Sequence, residues 1–187
     1  NNVDAGTATM TITGKGNYQG TFTKDYTIAP KNLAEPEVKI APIDAQEYNG
    51  MAVTPAPSVS YEFGDGTYAL SPVNDYTVAY ANNKGTGTAT VTVTGTGNFT
   101  GSKTAEFRIG QLITNETKFT ISCPALTDGT QYVYDGSAFE PEVTVTRIEG
   151  NKKLVKDSNY SVTYTDNIHA GTATVSVEGL GGYVGVW

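Results

Sequence analysis

Cysteine, histidine and tryptophan occur once each in this chain of 187 residues, and the scarcity of the first two closes several lines of chemistry. A lone Cys123 excludes an intrachain disulfide, the staple that small secreted modules often use. A nucleophilic thiol needs a base partner, yet the lone His169 stands at a position held by Asp4 in a related stretch of the chain. Neither residue is therefore expected to be catalytic, and Cys123 reads as a small buried hydrophobe. No run of about 18 apolar residues is present to cross a membrane as a helix. Basic residues are also in deficit: 12 Lys and Arg face 19 Asp and Glu, giving a net charge of −7. The lysines are scattered, so the basic face that a nucleic acid would require is absent. No segment carries a convincing helical period.

What the chain has in abundance is repetition. NNVDAGTATMTITGKGNYQG begins at Asn1, NNKGTGTATVTVTGTGNFTG at Asn82 and DNIHAGTATVSVEGLGGYVG at Asp166. Gly6, Gly87 and Gly171 anchor the copies, which places them 81 (87 − 6) and 84 (171 − 87) residues apart. A period of that size is a small domain rather than a solenoid turn. The copies divide the chain into residues 1–28, the last strands of one repeat; residues 29–110, a full repeat; and residues 111–187, a repeat without its last strand. The chain opens in mid-repeat and so reads as part of something longer, with any processing signals outside it.

Each unit carries the same landmarks in order. A turn at Tyr48-Asn49-Gly50, or Tyr134-Asp135-Gly136, precedes a proline-led strand, predicted over Pro57 to Phe63 and Pro141 to Ile148. Gly64-Asp65-Gly66 and Glu149-Gly150-Asn151 then suit tight hairpin turns into second strands through Leu70 and Leu154. DYTVAY (Asp75 to Tyr80) and NYSVTY (Asn159 to Tyr164) follow. In the repeated string, strict alternation predicts Ala89, Val91 and Val93 facing inward and Thr88, Thr90, Thr92 and Thr94 facing water. Ala8, Met10 and Ile12 repeat the inward set in the first copy, as do Ala173, Val175 and Val177 in the third. A closing strand carries Tyr26 and Ile28, or Phe107 and Ile109. Six or seven short strands per unit, punctuated by turn residues, predict an all-β chain of β-sandwiches. The glycines between the last two strands read as a loop with special backbone angles, because a phosphate cradle would need a following helix.

The turn at Tyr134-Asp135-Gly136, the DYTVAY strand, the string from Asn82 and the closing Phe107-x-Ile109 together resemble bacterial immunoglobulin-like repeats of surface and secreted proteins from Gram-positive anaerobes, many of them gut species. The resemblance covers nearly the whole chain, while Ala29 to Glu37 and Gly110 to Asn115 look like connectors. It implies tandem immunoglobulin-like β-sandwiches that act as spacers or adhesive stalks beside other domains of a parent chain, outside the cell. No shared catalytic residue comes with it, so no enzymatic activity, catalytic residue or cofactor is expected, and fold analogy alone supplies no ligand.

Carbohydrate binding, as in a module serving polysaccharide degradation, is the alternative, with glycans or host surface proteins as partners. Tyr18, Phe99 and Tyr183 recur in one loop and are expected to plug the end of each sandwich. Tyr68 and Tyr132 differ between units and are the better ligand candidates. Asp65, Asn74 and Asp75, or Asp157, Ser158 and Asn159, supply the oxygens nearest to a calcium set, but turn formation explains them equally and no metal is expected. A Lys-Asn crosslink would need a lysine repeated at a core position, and Lys24, Lys39, Lys103 and Lys118 do not provide one. If the last repeat lacks its closing strand, residues 21–28 of another copy could add to the exposed edge and give head-to-tail self-association; loss of that strand by cutting or disorder is the other explanation.

Overall fold

The computed structural model describes residues 2–126 and 131–187. Asn1, where the first repeated string starts, lies outside the described residues. The chain is all-β with several sheets, an arrangement consistent with a β-sandwich, and among the described residues no helix is long and apolar enough to cross a membrane. The strands are β1 (Gly6–Thr13), β2 (Thr21–Ile28), β3 (Lys31–Asn32), β4 (Val38–Ile40), β5 (Gln46–Glu47), β6 (Val59–Phe63), β7 (Gly66–Ala69), β8 (Tyr76–Ala81), β9 (Gly87–Gly95), β10 (Phe99–Thr100) and β11 (Ser102–Leu112). They continue with β12 (Phe119–Ser122), β13 (Thr144–Arg147), β14 (Lys152–Lys153), β15 (Tyr160–Thr165), β16 (Thr174–Gly179) and β17 (Tyr183–Val184).

Two compact units result, and their limits interleave in sequence. The first comprises Asn1–Ile43, Pro55–Ala81 and Thr90–Glu106; the second comprises Asp44–Thr54, Asn82–Ala89 and Phe107–Trp187. In the first, β4, β6 and β7 form one antiparallel sheet, and β8 pairs with β9 from Tyr76↔Gly95 to Ala81↔Thr90. Its core gathers Leu33, Val38, Val59, Leu70, Tyr76 and Val93, with Phe99 and Tyr61 packed against it. In the second, β12, β13 and β14 form a sheet, β15 pairs with β16, and the end of β11 runs parallel to both β5 and β17. Its core gathers Ile113, Phe119, Val143, Val145, Leu154, Tyr160 and Val177.

The alternation in β9 is as the sequence predicts on the apolar side: Ala89, Val91 and Val93 are fully buried. On the other face Thr88 and Thr94 are exposed, but Thr90 and Thr92 are half-buried. The first copy departs from the pattern. Ala8 is buried, but Met10 and Ile12 are 45% and 55% exposed, because β1 and β2 pair only with each other and among the described residues no second layer covers them. In the third copy Val177 is buried, Val175 half-buried and Ala173 exposed.

Two further expectations are corrected. The proline-led strands begin later than predicted, at Val59 and Thr144, because proline has no N–H to place in a ladder. Residues read as connectors are core: Leu33 is fully buried and Ile113 is 1% exposed. Each is drawn in by a short parallel pairing, with Leu33 N–H donating to the Thr100 carbonyl at 2.8 Å and Ile113 N–H to that of Val184 at 3.0 Å. A two-residue parallel contact leaves no period of two to read.

Candidate functional site

The residues that recur along the sequence converge on backbone groups. In the repeated string, the first residue of the Asn-Asn or Asp-Asn pair takes a left-handed conformation, φ 56° at Asn82 and 55° at Asp166, which Asn and Asp tolerate better than other side chains. That turn aims the second residue at a neighbouring segment. Asn83 donates from Nδ2 to the Val53 carbonyl at 2.9 Å and accepts Val53 N–H on its own carbonyl at 2.8 Å. Asn167 does the same to Phe139, at 3.1 and 2.9 Å. The clamp was legible only as an asparagine that stays constant, at Asn2, Asn83 and Asn167, while the residue before it varies. Asn167→Ala should destabilise the second unit by about 1–3 kcal/mol, the usual cost of orphaning a hydrogen-bonded group; chemical denaturation checks it, and Asn167→Asp should recover little because a carboxylate cannot donate.

Four tyrosines satisfy the carbonyls of the proline-led segments. Tyr76 donates its hydroxyl to Pro57 at 3.2 Å and Tyr80 to Pro55 at 2.7 Å. Tyr160 donates to Val143 at 3.0 Å and Tyr164 to Pro141 at 2.5 Å. Burial pushes all four phenols above the ordinary tyrosine value, aided at Tyr76 by the negative charge of Asp75. A raised folded value means that stability is complete below the unfolded tyrosine value of about 10 and is lost as pH climbs through the folded ones. Alkaline titration should therefore show a late-ionising subset of the twelve tyrosines whose phenolate absorbance rises together with unfolding. Simultaneous ionisation of all twelve with the fold intact would contradict this.

The glycine-rich loop has the same closure in each copy: Gly14 N–H donates to Gly20, Gly95 to Gly101 and Gly179 to Gly185, at 3.0, 2.9 and 3.0 Å. The plug expected of its aromatic is present in both units. Phe99 is half-buried edge-on to Tyr61, with ring centroids 6.4 Å apart, and Tyr183 meets Phe119 the same way at 5.9 Å. Tyr18, on the two-stranded hairpin, is 80% exposed. In the second unit Arg108 reaches across to the Gly179 and Tyr183 carbonyls at 3.0 and 3.2 Å, which fixes the loop from β11.

The sharper candidates fall in separate places. Tyr68, on β7 of the first unit, is 56% exposed opposite Tyr61, and its ring folds over Gly66. Tyr132, in the second unit, is 43% exposed and stacks on Phe139 with centroids 3.9 Å apart. Phe139 is the residue held by the Asn167 clamp, so the stack has a fixed floor. Tyr132, Tyr134, Asp166 and His169 help to line a cleft of about 610 Å³.

The calcium candidates act as turn supports. The Asp75 carboxylate accepts Ser71 N–H at 2.7 Å and Asn159 Oδ1 accepts Val155 N–H at 2.9 Å, while Asp157 holds a φ of 63°. Among the described residues no group of three or more His, Cys, Asp or Glu could hold a metal ion. Lys103 places Nζ on the Glu35 and Val38 carbonyls, at 3.1 and 2.6 Å, and Lys118 pairs with Glu47 at 2.6 Å. Cys123 is a free, half-buried thiol packed against the second core, and His169 is exposed.

Chemically, this arrangement binds its own backbone. Asn83, Asn167, Tyr76, Tyr80, Tyr160 and Tyr164 each already have a main-chain partner. No family model, no curated protein and no solved structure matches the chain.

Proposed function

We propose that the chain is a non-catalytic stalk segment of tandem immunoglobulin-like β-sandwich repeats in a bacterial surface or secreted protein, spacing the neighbouring domains of its parent or presenting an adhesin. The observation that carries this reading is the recurrence of the same backbone clamps in both repeats, through Asn83 and Asn167, Tyr76 and Tyr160, and Tyr80 and Tyr164. What the repeats hold in common is folding machinery, which suits a part selected for being present rather than for reacting. The net charge of −7 and the threonine-rich strand faces suit a solvated rod outside the cell.

A second reading, a carbohydrate-binding module of a polysaccharide-degrading system, is favoured by the Tyr132–Phe139 stack at the cleft, since a supported flat ring is the surface on which a sugar face packs. A glycan array and polysaccharide pull-down with the intact chain separate the two. The stalk reading expects no retention, whereas retention lost on Tyr132→Ala or Tyr68→Ala would replace it with the second.

A further inference from the structure

In the first unit the sheet order β4-β6-β7 leaves one edge of β7 unpaired among the described residues. The counterpart of β7 in the second unit is β14, at the end of the sheet β12-β13-β14. Leu70 N–H donates to the Val59 carbonyl at 2.9 Å, as Leu154 N–H does to that of Val145 at 2.8 Å, and counting back from these leucines sets Tyr68 and Ala69 against Lys152 and Lys153. The position is thus an edge in both units, but the two edges are guarded differently. Lys152 and Lys153 make up the whole of β14, and charged side chains are a usual means of stopping a sheet edge from taking up another strand. β7 has four residues, Gly-Thr-Tyr-Ala, with neither charge nor proline, and Thr67, Tyr68 and Ala69 are exposed.

The backbone decides what can pair there. Groups in an antiparallel ladder alternate in direction, so with Leu70 turned to Val59, Tyr68 and Gly66 also turn toward β6. Thr67 and Ala69 therefore turn their N–H and C=O groups outward. When two β7 strands meet about a two-fold axis, the register that uses every one of these groups sets Thr67 opposite Ala69 of the other copy, each pair exchanging both of its hydrogen bonds. Tyr68 then falls on the axis as a non-hydrogen-bonded pair, the kind in which side chains approach most closely. Tyr61 lies opposite Tyr68 on β6, so one rung and one face carry Tyr61, Tyr68 and the same two residues of the second copy. Lysine at that place, as in β14, would set like charges against each other.

We propose that the open edge of β7 pairs antiparallel with the β7 edge of a second copy of this chain, joining two molecules through their first units. The contact is isologous: each strand fills the other's open edge, so association stops at the dimer. Its driving force is the ladder itself together with removal from water of Tyr68, which is 56% exposed in the single chain. The pairing requires neither the stalk role nor a glycan.

Sedimentation velocity over a concentration series tests this with Tyr68→Lys and Tyr68→Cys, the latter combined with Cys123→Ser so that no second thiol is present. Lysine occupies the corresponding place in the second unit, so Tyr68→Lys is compatible with the fold, and circular dichroism checks each variant. Wild-type chain should pass from monomer to dimer as concentration rises. Tyr68→Lys should weaken dimerisation about tenfold or more, through the lost tyrosine pair and the opposed ammonium groups. Under mild oxidation Tyr68→Cys should give a disulfide-linked dimer, because the Cα atoms of such a pair lie about 4.5 Å apart, within disulfide range. Glu62→Cys in the same background, on the inner strand β6, should cross-link far more slowly. A wild-type chain that stays monomeric at its solubility limit overturns the proposal. So do assembly that runs past the dimer, a dimer that Tyr68→Lys leaves unchanged, and cross-linking no faster at residue 68 than at residue 62.

Discussion

Leu33→Ala is expected to cost the first unit about 2–5 kcal/mol, the range for truncating a fully buried leucine whose surroundings close only partly over the gap. The residue sits in a stretch whose composition reads as a connector, yet it is fully buried against Val38, Val59, Leu70, Tyr76 and Val93. Its position is set by the backbone of β3, which runs parallel to β10 through Phe99↔Lys31 and Thr100↔Asn32. Urea unfolding followed by circular dichroism measures the loss. Pro36→Ala, at an exposed position a few residues on, should change stability by no more than about 0.5 kcal/mol. If Leu33→Ala were as mild, the segment would be a tether and the parallel pairing incidental.

Gly95→Ala should be comparably damaging for the opposite reason, since it adds an atom where none fits. A Cβ at Gly95 would lie 2.6 Å from Thr100 N and 2.7 Å from the Phe99 carbonyl carbon. Those atoms belong to the loop backbone that Gly95 N–H closes on Gly101, so relief requires opening the loop and withdrawing Phe99 from the core. A cost of roughly 3 kcal/mol, the upper end for over-packing, is expected. Gly179, its counterpart, would meet Val184 N at 2.6 Å and should behave alike. Gly85→Ala is the control, because a Cβ there meets nothing within 4 Å and its φ is not in the left-handed region. Thermal melts of the three variants should separate Gly95 and Gly179 from Gly85 clearly.

The parts of the fold that could be read from sequence are those where one side chain reports one face. Ala89, Val91 and Val93 alternate with threonine, and their burial follows from the pleat. The same pattern misleads at Met10 and Ile12, since alternation defines a face but says nothing about whether a second layer covers it. Leu33 and Ile113 were hidden because pairing there lasts two residues. Asn83 and Asn167 were hidden by the glycines that follow them in the repeated string, which draw attention to backbone conformation and away from the side chain that clamps a neighbouring segment. The ligand candidates were legible only as unmatched aromatics. That Tyr132 has a stacked partner and Tyr68 covers a glycine depends on contacts between residues that composition does not link.

These effects meet in one consequence for the proposed stalk role. The clamps on the proline-led segments and the glycine loops resist separation of strands, and each unit has its own buried cluster. Extending a single molecule from its two ends in a force spectrometer measures that resistance directly. The account predicts two discrete unfolding events, with Leu33→Ala lowering the force of one and Asn167→Ala that of the other. A smooth extension without discrete events, or variants that leave both forces unchanged, would contradict it.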